Sequence, residues 1–446
     1  MASAMVLLDV LHSLGFHVAL PPMAVSLIRS LPLWCMLLGL LAGCDAEKQA
    51  TRTQPLTSEA FVWQRVWTPE VSQAVAAASP LDALHFLAAE IRFKASVPKI
   101  EKFEPNWSAL KSYPGRVGLV LRIHASAAGT GWAEDACHAV VVLATDMTAH
   151  WTAMSRTPDE IQIDYDCPES KLADYARLLS TLKIGLPDIP IRVTALPSWL
   201  KRPEARMLLS QSPGYVLQVH SLHLPHQGRA ATLINETEAR EAVRRAAGLG
   251  VPFRVALPTY SCVVLFDGAD KVSEVFGEDL PAGFVLGGKR GVVLDSDAFA
   301  LGLLMDEWRR HAPDRMISVI WYRLPVSSDR LNWPAQTLQK IVSAKPLKRG
   351  WSAHAQKGSS GQADIILRQE GDAPDDLPHD ILVQWQGTPA EAADGLRGYR
   401  VSDQGPGWLR FSLTNSARQG RIWPGQEFAA GWVRTAADRL DVKTVR

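Results

Sequence analysis

The sequence predicts an α/β protein: a (β/α)8, TIM-like barrel followed by a C-terminal β-sandwich domain. Three observations predict it. From Glu160 to Glu169 the chain alternates, with Ile161, Ile163 and Tyr165 on one face and Gln162, Asp164 and Asp166 on the other, a period of two that no helix shares. Helix-forming Lys171 to Leu182 and a strand-like run, Ile191 to Leu196, follow directly, so the unit reads β-α-β. Eight strand and helix pairs fit within residues 60–344, as a closed parallel barrel requires, and over residues 345–446 helical periodicity gives way to short alternating runs broken by Gly, Pro and Asp.

Ahead of the barrel, residues 1–43 read as a lipoprotein signal peptide. Arg29 supplies positive charge, Leu31 to Leu41 is apolar but too short to span a membrane stably, and Leu41-Ala42-Gly43-Cys44 resembles the bacterial lipoprotein box, with Cys44 as the lipidated residue. The apolar stretch before Met23 carries no Lys or Arg, which points to Met23 as the true start. A plain N-terminal membrane helix is the competing reading. Residues 44–59 are polar and read as a flexible linker, and the mature chain is expected at the cell membrane, lipid-anchored and facing the periplasm. In that oxidising compartment Cys137, Cys167 and Cys262 form an odd set. Cys137 opens the helix before the central strand and Cys167 ends that strand, so a Cys137–Cys167 disulfide is expected, against three buried thiols as the alternative.

The barrel elements follow in order. Phe61 to Trp67 is the first strand; Thr68-Pro69-Glu70 then gives an N-cap with Pro at the first helical position, and an Ala-rich helix runs to Ala78. Leu84 to Ile91 and Val117 to His124 are strands two and three, and a helix over Glu134 to Trp151 leads to the central fourth strand. After strand five, Pro197-Ser198-Trp199-Leu200 is a rim loop, followed by a helix through Ala205 to Ser210. Tyr215 to Leu222, Pro252 to Leu257 and Met316 to Leu324 are strands six to eight, with helices Thr237 to Ala247 and Trp333 to Val342 after the first and last. The connection from Pro258 to Met316 is far longer than a barrel loop and holds two strand-like runs, Cys262 to Phe266 and Gly291 to Leu294. It reads as a β-hairpin insertion at 261–294 and hence as a flap over the barrel mouth, with a purely structural brace as the competing reading. In the sandwich, Ala363 to Arg368, Asp380 to Trp385, Gly398 to Ser402, Trp408 to Leu413 and Glu427 to Val433 are strands, with a helical turn near Ala390 to Asp394.

A net charge of +1 and the absence of a basic run interleaved with aromatics argue against nucleic acid as a partner. No glycine-rich phosphate loop, zinc-finger spacing or nucleophile elbow is present, so no cofactor and no metal are expected. His220, His223 and His226 are spaced as a metal set could be, but Pro225 breaks the helix that would make them converge. The inward parity gathers Glu90, Arg122, His124, Gln162, Asp164, Asp166, Arg192, Thr194, Gln218 and His220, with Trp199, Tyr260, Trp321 and Tyr322 near the rim. Asp164 and Asp166 stand about 6.6 Å apart along a strand, close enough that one carboxylate raises the pKa of the other and the pair splits into acid and base. Asp166, Asp164 and Glu90 are therefore the catalytic candidates. Arg122, His124, Gln162, Thr194, Trp199, Gln218, His220, Tyr260 and Tyr322 are candidates for binding substrate. The competing reading makes Asp164 a structural ion pair with Arg122 or Arg192 on the flanking strands.

Gln162-Ile163-Asp164-Tyr165-Asp166, Thr194-Ala195-Leu196-Pro197-Ser198-Trp199-Leu200, Gln218-Val219-His220 and Ala256-Leu257-Pro258-Thr259-Tyr260, behind a lipoprotein signal, resemble an uncharacterised bacterial family classed as a domain of unknown function. The resemblance covers roughly residues 58–345 and implies a fold and an order of strands, not a reaction. The central strand is also distantly similar to the Asp-x-Asp-x-Glu strand of chitinase-type glycoside hydrolases, which implies cleavage of glycans. It departs from that pattern where the acid Glu would stand: Pro168 occupies the place, and Glu169 comes one residue late. Two functions follow as expectations: a membrane-anchored, periplasm-facing glycoside hydrolase using the paired Asp residues, or a non-catalytic glycan or envelope binding protein.

Overall fold

In chain order the first half of the barrel runs β1 (Thr57–Val62), α1 (Pro69–Ala76), β2 (Ala83–Lys94), β3 (Val97–Lys102), α2 (Trp107–Ser112), β4 (Arg116–Ile123), α3 (Glu134–Ala153), β5 (Glu160–Tyr165) and α4 (Leu172–Gly185). The second half runs β6 (Ile191–Ala195), α5 (Pro203–Ser210), β7 (Tyr215–Gln218), α6 (Glu236–Ala247), β8 (Phe253–Pro258), an inserted sheet of β9 (Cys262–Phe266), β10 (Val272–Phe276) and β11 (Arg290–Leu294), then α7 (Ala298–Arg310), β12 (Met316–Tyr322) and α8 (Ala335–Val342). Strand β1 pairs in parallel with both β2 and β12, and that double pairing closes eight parallel strands into a barrel. The computed structural model describes residues 55–94, 97–124, 134–221, 232–277, 284, 286–358, 361–414 and 421–445. The signal peptide, Met23 and Cys44 expected from sequence lie outside these residues, as do His223 and His226.

Alternation builds the barrel wall. Ile161, Ile163 and Tyr165 join the apolar core under the helices, and the Tyr175 hydroxyl on α4 donates to the Ile163 carbonyl (3.1 Å). Side chains also cap the helix starts: Thr68 accepts from the Val71 amide, Asn235 from Thr237 and Glu238, and Asp297 from Phe299 and Ala300. The inward faces stack in layers. At the bottom Glu59, His85, Glu160, Arg192 and Arg254 form a charged cluster; Phe61, Trp63, Leu87, Val120, Val216, Ala256 and Ile320 form an apolar one; the top holds Arg122, Gln162, Asp164, Thr194, Gln218, His220 and Tyr322. A β-bulge between Leu87 and Ala89 switches the parity of β2, so that Ala88 and Ala89 both join the outer core and Glu90 comes level with Arg122.

Several elements differ from the sequence expectation. Strand β1 begins at Thr57 rather than Phe61, because Glu59 faces the buried basal layer and breaks the apolar pattern that marks a strand. Strand β3 lies antiparallel on β2 with every residue exposed, so no hydrophobic period announces it. The insertion after β8 carries three strands with β9 in the middle, rather than a two-stranded hairpin. Residues 351–445 form two four-stranded antiparallel sheets over a shared core that includes Ile365, Ile381, Leu409 and Phe411. There the turn expected near Ala390 is a strand, β13 (Ala392–Gly395), held in register on β14 (Glu427–Arg434). The sandwich is tied to the barrel by Arg421 to Asp297 (2.6 Å), Lys340 to Asp372 (2.6 Å) and the Arg349 guanidinium over the Phe299 ring (3.7 Å).

The expected Cys137–Cys167 disulfide is not formed: Cys137, Cys167 and Cys262 are all free and buried. Cys137 packs on the inner face of α3, and the Cys167 thiol donates to the Pro168 carbonyl (3.4 Å). Burial pushes the Cys167 thiol up to about 12 and raises Cys137 and Cys262 as well, so all three behave as small apolar groups.

Candidate functional site

The strand ends that carry the top layer surround a pocket of about 100 Å³. One wall is aromatic. Trp63 stands 5.0 Å from Tyr322, which also contacts Phe61 (5.9 Å) and Tyr260 (5.5 Å) and stacks on the His220 imidazole (5.5 Å). The other wall is polar, built from Arg122, Gln162, Asp164, Asp166, Thr194 and Gln218. A second hollow of about 40 Å³, between α1 and α8, is lined by Ala, Leu, Pro and Val with Gln339 and holds no titratable group.

The polar wall is a directed chain of hydrogen bonds. Arg122 Nη1 donates to Asp164 Oδ2 at 2.5 Å, and Arg122 Nη2 reaches Asp166 Oδ2 at 3.4 Å, so one guanidinium spans both carboxylates. The Thr194 hydroxyl donates to Asp164 Oδ1 (2.7 Å), and Gln162 Nε2 donates to Thr194 Oγ1 (2.8 Å). Asp164 is thus buried and held from both sides. Asp166 is different: its side chain is 40 % exposed, and its Oδ1 has no hydrogen-bond partner among the described residues. Burial of the carboxyl and the neighbouring Asp164 charge raise the pKa of Asp166, more than Arg122 lowers it. Burial works against the charge of Arg122, yet Asp164 and Asp166 raise its pKa above the ordinary arginine value.

His220 closes the far side. Its Nδ1 lies 3.2 Å from the Ala256 carbonyl, which can only accept, so Nδ1 carries the proton. Burial lowers its pKa to about 4, against smaller upward pulls from Ala256 and Asp164, and the ring is neutral at physiological pH.

Residues 129–327 match the family model described as Domain of unknown function (DUF3142). Residues 352–436 match a second, Domain of unknown function (DUF8456). No curated protein matches the chain. Among solved structures it is similar to the spore cortex-lytic enzyme of Bacillus cereus, at 11 % identity over 65 % of this chain and 74 % of that one, with a TM-score of 0.46. It is likewise similar to a chitinase from Bacillus thuringiensis (9 % identity, 87 % and 100 % covered, TM-score 0.44) and one from Chromobacterium violaceum (11 % identity, 65 % and 98 % covered, TM-score 0.44).

The structure brings Asp164, Asp166, Arg122, Gln162, Thr194, Gln218, His220, Tyr260 and Tyr322 into one pocket. It places Glu90, His124, Trp199 and Arg192 elsewhere. Glu90 is 1 % exposed and does not line the pocket; Arg65 (2.5 Å), Arg92 (2.9 Å) and His124 (2.9 Å) surround it. Burial raises the Glu90 pKa, but His124 and Arg65 outweigh it and the net shift is downward, so Glu90 is a fixed anion rather than an acid. His124 is spent on that cluster. Trp199 is 1 % exposed and packs on Tyr175 (6.4 Å) in the outer core, because a short 3-10 turn directs its indole back toward α4. Arg192 pairs with Glu160 (2.7 Å) in the basal layer, two positions below Asp164. Glu169, one residue past the place of the hydrolase acid, is held by Arg202 (2.5 Å) and does not line this pocket. The sequence reading missed Phe61 and Trp63, which share the inward parity of β1 and were legible only as an aromatic-rich strand.

Proposed function

We propose that this chain is a lipid-anchored, periplasm-facing barrel protein that cleaves glycans at the barrel mouth, with Asp166 as general acid. The observation that carries the reading is the split in the carboxylate pair. Asp164 is fixed in an ion pair with Arg122 and a hydrogen bond from Thr194, whereas Asp166 is open to the pocket with a raised pKa. Cleaving a glycosidic bond needs one carboxyl that delivers a proton to the leaving oxygen and one negative charge facing the developing oxocarbenium ion. Asp166 suits the first role and Asp164 the second. The aromatic wall of Trp63, Tyr260 and Tyr322 gives a sugar ring an apolar face to lie against, opposite hydrogen-bonding groups.

A second reading, a non-catalytic glycan binder, is favoured by one observation: apart from this pair, no carboxylate among the described residues lines the pocket. Turnover separates the two. The mature chain is incubated with a panel of neutral and acidic glycans and the new reducing ends are counted. The hydrolase reading expects release that falls by about 10² to 10⁴ in Asp166→Asn with the fold intact. Binding without release from any glycan would leave the binder.

A further inference from the structure

The hydrogen-bond directions along the polar wall are fixed by their end point. Asp164 is paired with Arg122 and accepts only, so the single hydroxyl proton of Thr194 goes to Asp164 Oδ1. Thr194 Oγ1 must then accept, and only the amide nitrogen of Gln162 can supply that proton. The amide of Gln162 is thereby oriented without ambiguity, and its carbonyl oxygen, Oε1, is left over. That oxygen is buried, on a residue 1 % exposed, and has no partner among the described residues. A buried acceptor without a donor is costly to leave so, and Gln162 lines the pocket.

His220 shows the same polarity. Its Nδ1 proton is committed to the Ala256 carbonyl, and its ring is held by stacking on Tyr322. The nitrogen that remains for a ligand, Nε2, is an acceptor.

We propose that Gln162 Oε1 and His220 Nε2 are the specificity determinants of the pocket: each takes a hydrogen from a free hydroxyl of the bound sugar ring, so the subsite selects a unit with unsubstituted hydroxyls and rejects one whose hydroxyls are capped. The inference rests on the glycan reading above and deepens it. A primary ammonium is the competing donor, since Arg122 opposes it while Asp164 and Asp166 in the same pocket attract it, and the test separates the two.

The test uses ligand-observed NMR titration of the mature wild-type chain with methyl glucoside, methyl galactoside and methyl mannoside, each beside its per-O-methylated derivative and its amino-sugar counterpart. At least one neutral hexoside binds, and O-methylation weakens it roughly 10-fold or more, because both acceptors are then left unpaired. Gln162→Leu and His220→Phe each lower the affinity of the free hexoside about 10-fold while leaving the weak binding of the methylated form unchanged. The wild-type comparison decides the matter even if one variant does not fold. Equal binding of free and methylated hexosides, equal losses for both forms in the variants, or tighter binding of the amino sugar would each overturn the inference while leaving glycan binding in place. Binding of none of these sugars would overturn it together with the reading on which it rests.

Discussion

Asp166 and Asp164 are two residues apart on one strand and have opposite fates because one guanidinium cannot serve both equally. Arg122 sits 2.5 Å from Asp164 and 3.4 Å from Asp166, and the Asp164 charge then penalises ionisation of its neighbour. A carboxyl whose folded pKa is raised adds stability below its unfolded value, and that contribution is lost as pH rises through the folded value. Asp166→Asn is therefore expected to melt no lower than wild type at pH 7, with any gain vanishing toward pH 4; a marked drop at pH 7 would show that Asp166 is a structural anion. Asp164→Asn is expected to cost roughly 1–3 kcal/mol in urea unfolding, since Arg122 keeps partial access to water and to Asp166. Alternation alone showed which residues of β5 and β6 face inward. It could not show height in the barrel, which is why Arg192 was read beside Asp164 when it belongs to the basal layer. Nor could it show that Glu90 would be enclosed by three basic side chains, since two of them come from outside its strand.

At the scale of elements, the bottom layer welds five strands together. Glu59 of β1 meets His85 of β2 (2.7 Å) and Arg254 of β8 (3.1 Å), and Arg254 and Arg192 of β6 both hold Glu160 of β5. Burial alone would raise the Glu59 carboxyl, but Arg254 and His85 outweigh it and bring the pKa to about 2; Glu160 is held well below the carboxylate range, with Arg254 again overcoming burial. Depressed carboxylates contribute stability above their unfolded values, and it is lost as pH falls through the folded ones, so acid unfolding is expected between about pH 4.5 and 2. Arg254→Met leaves two buried carboxylates short of a cation and is expected to cost on the order of 3–5 kcal/mol, read from urea unfolding at pH 7. A loss under 1 kcal/mol there would mean water reaches the cluster. The inserted sheet supports the brace reading: β9 buries Val264 and Phe266 against Leu233 on one face and Leu265 against Leu331 on the other. Removing residues 261–294 is expected to lower the melting temperature of the whole barrel; an unchanged transition would favour a flap. Strands such as β3 and β13 escaped the sequence reading for one shared reason, that neither has a face buried enough to imprint a period.

On the scale of the whole molecule, the barrel and the sandwich were both legible, because each buries a continuous core that sets its own period. The seam between them was not, since Arg421 and Asp297 are 124 residues apart and only the fold brings them together. The address was read from the N-terminus, and Cys44→Ala is expected to release the protein from the membrane fraction or block its processing. Whether Asp166 delivers the proton is decided by the pH dependence of kcat/KM on a cleaved glycan. A general acid works only while protonated, so the wild-type value should fall as pH rises through the raised pKa of Asp166, and the residual activity of Asp166→Asn should lack that alkaline limb. An alkaline limb that persists unchanged in Asp166→Asn, with turnover near the wild-type level, would contradict it.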